Sequence, residues 1–238
     1  MYGKRWNVKE YDIHNNVIHE LKNGKGFIRE YNEINKLIFE GDYSNGEING
    51  KGKKYNNNGN IIYEVEFVNG FICGKGKEYN DFGELIFEGD YLYNYRLKGK
   101  SYIKGRLEYE GDYLFNKKWN GKGYDENGTI TYELVNGNGK VKEFNIFGRL
   151  NFEGEYLNGK RNGKGKEYYS DNKLSFKGKY LNGKRNGIGK VYWFNGKLKF
   201  VGEYKNGKMN GRGYEYDNNG NLISKGIYIN GVKKGIIK

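Results

Sequence analysis

Few residues in this 238-residue chain have the types and spacing that catalysis needs. The only histidines, His14 and His19, stand five residues apart with no cysteine or carboxylate cluster at ligand spacing beside them. They read as turn or surface side chains, and no metal is expected. Carboxylates recur at Glu40, Glu88, Glu110 and Glu153, but only because the text around them recurs. A catalytic pair needs one distinct environment that shifts a pKa, which a copied position does not supply. Gly99-Lys100-Ser101 echoes the end of a phosphate-binding loop, yet Asn94 stands where its leading glycine belongs and no helix pattern follows. Gly163-Lys-Gly165 fails as a dinucleotide motif for the same want of a helix N-terminus. The single Cys73 cannot close an internal disulfide and reads as a small side chain in a reducing compartment. The expectation is a non-enzymatic chain with no catalytic residue and no cofactor.

Charge is the stronger signal. Residues 1–120 hold 19 Lys and Arg against 18 Asp and Glu, whereas residues 121–238 hold 23 against 11, so nearly all of the +13 net charge lies in the second half. Lys160, Arg161 and Lys164 recur as Lys184 and Arg185, then as Lys208 and Arg212, then as Lys233 and Lys234. On loops projecting from one edge of a sheet they would form a ladder with steps of about 9.6 Å, on the order of 30 Å long. Such a stripe attracts an acidic protein or an anionic membrane, where each basic side chain contributes about 1 kcal/mol. Tyr156, Tyr180, Tyr204 and Tyr228 recur beside it and resemble a stacking platform for single-stranded nucleic acid. Since the fold itself needs those rings where they stand, nucleic acid is the less expected partner.

These residues sit in an array. Leu21, Tyr43, Phe67, Tyr91, Tyr113, Leu134, Tyr156, Tyr180, Tyr204 and Tyr228 follow one another at 21 to 24 residues, a period that means one supersecondary unit stacked on copies of itself. Leu150-x-Phe152-x-Gly154-x-Tyr156 alternates with period two, which is a strand signature. Asn158-Gly159-Lys-Arg-Asn162-Gly163 then reads as the loop, five or six residues long, of a β-hairpin. A second turn such as Asn56–Asn60 or Asn218–Asn221 leads into the next hairpin. Glycines at fixed strand positions, among them Gly41, Gly89, Gly154, Gly178 and Gly202, imply that a ring from the adjacent hairpin lies across bare backbone. Val65, Tyr132 and the segment around His19 break that rule. Asn23–Gly26 and Asn136–Gly139 are compressed loops where a change of twist or curvature is expected.

The chain has neither proline nor alanine and holds 39 glycines, which argues against helices. No stretch approaches the ~20 apolar residues of a membrane-spanning helix, and no apolar run follows Met1-Tyr-Gly-Lys-Arg-Trp6. The reading is a soluble, cytoplasmic protein with peripheral association to membrane or cytoskeleton. Ten hairpins give about twenty strands and a rod on the order of 95 Å. One domain covers residues 1–238: an N-terminal edge hairpin or cap over 1–16, repeats over 17–235 and a tail over 236–238. Ile236 and Ile237 form an apolar C-terminal edge that invites pairing with another chain, hence a homodimer.

Gly154-x-Tyr156-x-x-Gly159-x-x-x-Gly163-x-Gly165, repeated from Gly178 to Gly189 and from Gly202 to Gly213, resembles the MORN repeat. Looser copies run from about residue 17 to residue 235, with Asn94 and Lys117 where loop glycines are expected. The resemblance implies an all-β fold, a single-layer antiparallel meander of about ten stacked hairpins in an open, solenoid-like sheet. It also implies interaction work: membrane-associated scaffolds, cytoskeletal organisers, or modules attached to lipid kinases and methyltransferases. The expected function is a non-enzymatic scaffold whose basic half contacts acidic partners. The alternatives are a peripheral phospholipid (phosphoinositide) binder and a single-stranded nucleic-acid binder.

Overall fold

The computed structural model describes residues 4–12 and 14–237. Met1–Gly3, Ile13 and Lys238 lie outside the described residues, so the expected cap (1–16) and tail (236–238) are described only in part. Extended strands and turns make up the whole, with no helix among the described residues. The contacts divide the chain into two units, residues 1–116 and 117–238.

Unit 1 contains β1 (Val8–Tyr11), β2 (Val17–Lys22), β3 (Lys25–Tyr31), β4 (Leu37–Ser44), β5 (Glu47–Tyr55), β6 (Ile61–Val68), β7 (Phe71–Tyr79), β8 (Leu85–Leu92), β9 (Tyr95–Ile103) and β10 (Arg106–Leu114). Unit 2 contains β11 (Lys117–Tyr124), β12 (Ile130–Leu134), β13 (Gly139–Phe144), β14 (Leu150–Leu157), β15 (Lys160–Tyr168), β16 (Leu174–Leu181), β17 (Lys184–Tyr192), β18 (Leu198–Lys205), β19 (Lys208–Tyr216), β20 (Leu222–Ile229) and β21 (Val232–Ile236). The strands form antiparallel sheets of 12 and nine, in chain order and not closed into a barrel. The break between the sheets falls at the compressed loop Asn136–Gly139, where only the bridge Val135↔Asn138 remains. At the other compressed loop, β2 and β3 share just two pairings.

The hairpin turns are shorter than the sequence suggests. Asn158-Gly159, Asn182-Gly183 and Asn206-Gly207 are two-residue turns with both residues at positive φ, the geometry that matches strand twist and favours Asn-Gly. The second Asn-Gly pair of each repeat is not loop at all. Gly163 (φ 89) lies inside β15, in the bulge where the register passes from Gly154↔Gly165 to Tyr156↔Arg161. The connections between hairpins are Asx turns. Asn56 Oδ1 accepts the amides of Asn58 and Asn60, and Asp217 Oδ1 those of Asn219 and Asn221.

One face of each sheet carries the core. In unit 2 the strand glycines pair with one another from strand to strand: Gly154↔Gly165, Gly165↔Gly178, Gly178↔Gly189, Gly189↔Gly202 and Gly202↔Gly213. Rings lie along this bare line. A Cβ on Gly178 would stand 2.6 Å from Phe176 Cζ, and one on Gly189 2.6 Å from Phe176 Cε2 and 3.2 Å from Tyr204 Cδ2. The covering ring is thus the phenylalanine two residues back on the same strand, joined over the second glycine by the tyrosine of the next hairpin; the neighbouring-hairpin ring expected from sequence is only half of the arrangement. Phe176 meets Tyr180 and Tyr204 edge-on at 5.8 and 5.6 Å, and Phe200 meets Tyr204 and Tyr228 at 5.9 and 5.3 Å. Each such pair contributes about 0.5–1.5 kcal/mol beyond its buried area. Where glycine is missing, the substitute fills the ring's place: Tyr132 lies across its partner Gly123 and Val65 across Gly76.

Candidate functional site

The two-residue turn decides where the basic residues go. Lys160 opens β15 and is exposed, as Lys184 and Lys208 are at the start of β17 and β19. Arg161, one residue on, pairs with Tyr156 and turns to the aromatic face. Its guanidinium lies 4.1 Å from the Phe152 ring centroid and holds Glu143 with two hydrogen bonds of 2.8 and 2.7 Å. Arg185 repeats this over Phe176, 3.9 Å away, on Glu167. Arg161 and Arg185 are therefore tied into the fold rather than presented on loops. Lys233 is likewise drawn to Glu215, 3.2 Å away. Of the expected ladder, Lys160, Lys164, Lys184, Lys208, Arg212 and Lys234 remain exposed.

The tyrosines of the expected aromatic face also belong to the core. Tyr180, Tyr204 and Tyr228 are buried and Tyr156 half-buried, so none offers an open stacking surface. Tyr156 donates to Glu143 at 2.7 Å and Tyr180 to Glu167. Burial first, and then the carboxylate it donates to, pushes each of these two phenols well above the usual range. Burial alone would raise the Glu167 carboxyl, but hydrogen bonds from Arg185 and Tyr180 and the nearby Arg161 bring it below its ordinary value.

The opposite face of each sheet carries a groove floored by the glycine line. In unit 1 it has a volume of about 850 Å³, and its walls alternate by strand. Glu40 and Asp42 on β4 face Lys51 and Lys53 on β5, which face Glu64 and Glu66 on β6. Opposite charges directly across strands stabilise a sheet. The groove of unit 2, about 740 Å³, begins the same way, with Lys140 and Lys142 opposite Glu155 and Glu153. Then the alternation fails. Where β4 and β14 carry two acids, β16 carries Lys177 and Lys179, whose cross-strand partners are Lys166 and Lys190 for the first and Lys164 for the second.

Among the described residues only Lys166 of these five lysines has an ion pair, with Glu153 at 2.7 Å, and Lys164, Lys177, Lys179 and Lys190 have none there. Facing like charges cost stability, so this patch is an excess of positive charge that the fold does not need. Loop reading missed it, although the change from Phe152-Glu-Gly-Glu to Phe176-Lys-Gly-Lys is visible in the sequence. His14 and His19 gather no ligand set, and among the described residues no group of three or more His, Cys, Asp or Glu is placed to hold a metal.

The repeat architecture has a name. Family models for the MORN repeat match residues 39–61, 63–81, 152–173 and 200–222, and the model of a MORN repeat variant matches residues 185–206. The chain is a MORN-repeat protein. MORN repeats are in general protein or membrane interaction modules. Comparison with curated proteins gave no match. Among solved structures, the crystal structure of TcdB2-TccC3-TEV matches with 13% identity and a TM-score of 0.24 over 94% of this chain and 11% of its own. That of TcdB2-TccC3 without its hypervariable C-terminal region matches with 11% identity and a TM-score of 0.26 over the same shares. The MORN chain thus spans about 11% of the length of either, and neither likeness bears on its fold or its function.

Proposed function

We propose that this MORN chain is a non-enzymatic interaction module, and that unit 2 docks an extended acidic segment of a partner protein in its lysine-walled groove. The observation that carries the reading is the placement of Lys177 and Lys179 opposite lysines rather than carboxylates. Strand neighbours two apart on one face are separated by about 6.8 Å, which is also the repeat of side chains along one face of an extended peptide. Acidic residues at alternate positions of such a peptide meet this spacing. Between the lysine rows the floor of the groove is bare backbone, because the intervening positions Gly165, Gly178 and Gly189 face the phenylalanine side of the sheet.

A second reading rests on a different observation. Lys160, Lys184 and Lys208 are exposed at the hairpin-turn edge at steps of about 9.6 Å, suited to anionic phospholipid. One titration separates the readings. The full chain is titrated with a fluorescent polyglutamate peptide, with phosphatidylserine vesicles and with oligothymidylate, as wild type, as Lys177→Glu/Lys179→Glu and as Lys160→Glu/Lys184→Glu/Lys208→Glu. Polyglutamate affinity falling at least tenfold in the groove variant alone supports acidic-peptide docking. Vesicle binding lost in the edge variant alone transfers the function to lipid, and preferential binding of the oligonucleotide overturns both.

A further inference from the structure

Among the described residues, every non-glycine residue at positive φ is an asparagine except Tyr93, Lys104 and Phe115. Tyr93 (φ 48) and Phe115 (φ 49) occupy the first position of successive hairpin turns, followed by Asn94 (φ 68) and Asn116 (φ 63) where other turns have glycine. Aromatic side chains avoid this conformation, and Asn-Gly is the sequence the turn prefers. Both residues are therefore held against local preference. Their rings are not used in the core: Tyr93 is 62% exposed and Phe115 65%.

Each ring is matched by another from the preceding turn. Phe71 meets Tyr93 edge-on at 5.8 Å, and Tyr95 meets Phe115 edge-on at 5.4 Å. Phe71 and Tyr95 open β7 and β9, the position that Lys160, Lys184 and Lys208 take in unit 2. This strand-opening position is thus aromatic in β7 and β9 and basic in β15, β17 and β19. The core tyrosines of this region engage their hydroxyls, Tyr91 with Glu78 at 3.1 Å and Tyr113 with Ser101 at 2.5 Å, whereas those of Tyr93 and Tyr95 make no hydrogen bond among the described residues. The platform is firm, because Asn94 Oδ1 accepts the Ile72 amide and Asn116 Oδ1 the Arg96 amide, each at 2.8 Å.

The geometry points to a docking site for a proline-rich segment in the polyproline II conformation. Successive hairpin turns lie two strands apart, so the two ring pairs recur at about 9.6 Å. One turn of a polyproline II helix rises about 9.3 Å, three residues at 3.1 Å. Two consecutive turns of such a helix place prolines against both ring pairs, and its backbone carbonyls, which have no internal partners, accept from the free Tyr93 and Tyr95 hydroxyls. The occupant is not a second copy of this sequence, which contains no proline.

The test is calorimetric titration of the full chain with an oligoproline peptide, beside co-sedimentation with phosphatidylcholine vesicles. Tyr93→Asn/Phe115→Asn restores the residue that the other turns use; it is expected to melt at or above the wild-type temperature while oligoproline affinity falls at least tenfold. Phe71→Lys/Tyr95→Lys, which installs the residue that unit 2 carries there, is expected to lose affinity equally. The proposal is overturned if oligoproline does not bind wild type, if either variant binds it unchanged, or if the rings carry the chain to vesicles instead. This outcome is independent of the lysine groove.

Discussion

The guanidinium of Arg185 lies 3.9 Å from the centroid of the Phe176 ring, and the same group holds the Glu167 carboxylate from the preceding strand. One side chain thus joins a ring on β16 to a carboxylate on β15. Both charged groups are less than a third exposed, so removing one partner leaves the other poorly solvated. Arg185→Ala is expected to cost about 2–3 kcal/mol, below the full buried-pair value because water still reaches the pair. Arg185→Lys keeps the charge but loses the planar fork, and its expected cost is about half of that. Urea midpoints of the three proteins decide this; equal stability of wild type and alanine variant would remove the stacked ion pair from the account of what holds the repeat.

Gly178 and Gly235 are both strand glycines, yet they predict opposite outcomes. A Cβ on Gly178 meets Phe176 at 2.6 Å and the Gly189 backbone at 2.9 Å, whereas one on Gly235 meets nothing within 4 Å. Gly178→Ala is expected to lose about 1–3 kcal/mol through overpacking, and Gly178→Val more, while Gly235→Ala stays within about 0.5 kcal/mol of wild type. Thermal melts of the three variants check the order.

Alkali should unfold the protein through its tyrosines. Burial and carboxylate partners raise the Tyr91, Tyr156, Tyr180 and Tyr228 phenols beyond the ordinary value, and burial sets Tyr113 at about 12. A folded-state pKa above the unfolded one means that stability is complete below about pH 10 and declines as pH rises further, because only the unfolded chain then ionises freely. Phenolate absorbance is expected to rise in two stages, exposed tyrosines first and buried ones together with loss of the β signal. At the acid end the sign reverses. Glu40, Glu153 and Glu167 are lowered, the first two by hydrogen bonds from Tyr55 and Lys166 and the third by Arg185 and Tyr180 against the effect of burial, so their contribution is present above about pH 4.5 and is lost as pH falls.

Lys177→Glu/Lys179→Glu should make the fold more stable. It places carboxylates opposite Lys166, Lys190 and Lys164, restoring the alternation of unit 1, and each new pair contributes about 0.2–1 kcal/mol. The gain in urea midpoint is expected to shrink in molar salt, where charges are screened within about 3 Å. A loss of stability in the double variant would show that the lysines serve the sheet itself.

The period, the strand alternation and the hairpin repeat were all legible in the sequence, because burial of Phe176 and Tyr180 on one face leaves an unmistakable alternation. The turns were not. Asn158-Gly159 and Asn162-Gly163 have the same composition, and nothing local says that the first makes the turn while the second makes a bulge. That ambiguity carried the site with it: counted as loop, Arg161 and Arg185 read as solvated charges, but counted as strand after a two-residue turn they reach the phenylalanine face. Asn94 and Lys117 looked like degenerate loop positions, whereas Asn94 and Asn116 occupy the second position of ordinary two-residue turns. The Lys177 and Lys179 patch needed cross-strand register, which a single repeat does not display.

Phe152 meets Tyr180 edge-on at 5.3 Å, as Phe176 meets Tyr204 at 5.6 Å, over glycines that stand in the same register. Adjacent rungs are therefore interchangeable parts. An in-frame deletion of residues 161–184 joins Lys160 to Arg185 and is expected to seat Tyr204 on Phe152 and Arg185 on Glu143, where Arg161 stood, while the tyrosine–carboxylate bond of Tyr180 and Glu167 has no successor, because Val191 takes the place of Glu167. Unequal exchange between such genes changes how many rungs a chain has without creating a faulty junction, so length in this architecture drifts by whole repeats while the point changes that mark a surface, such as Lys177 or Tyr93, are carried along or discarded as units.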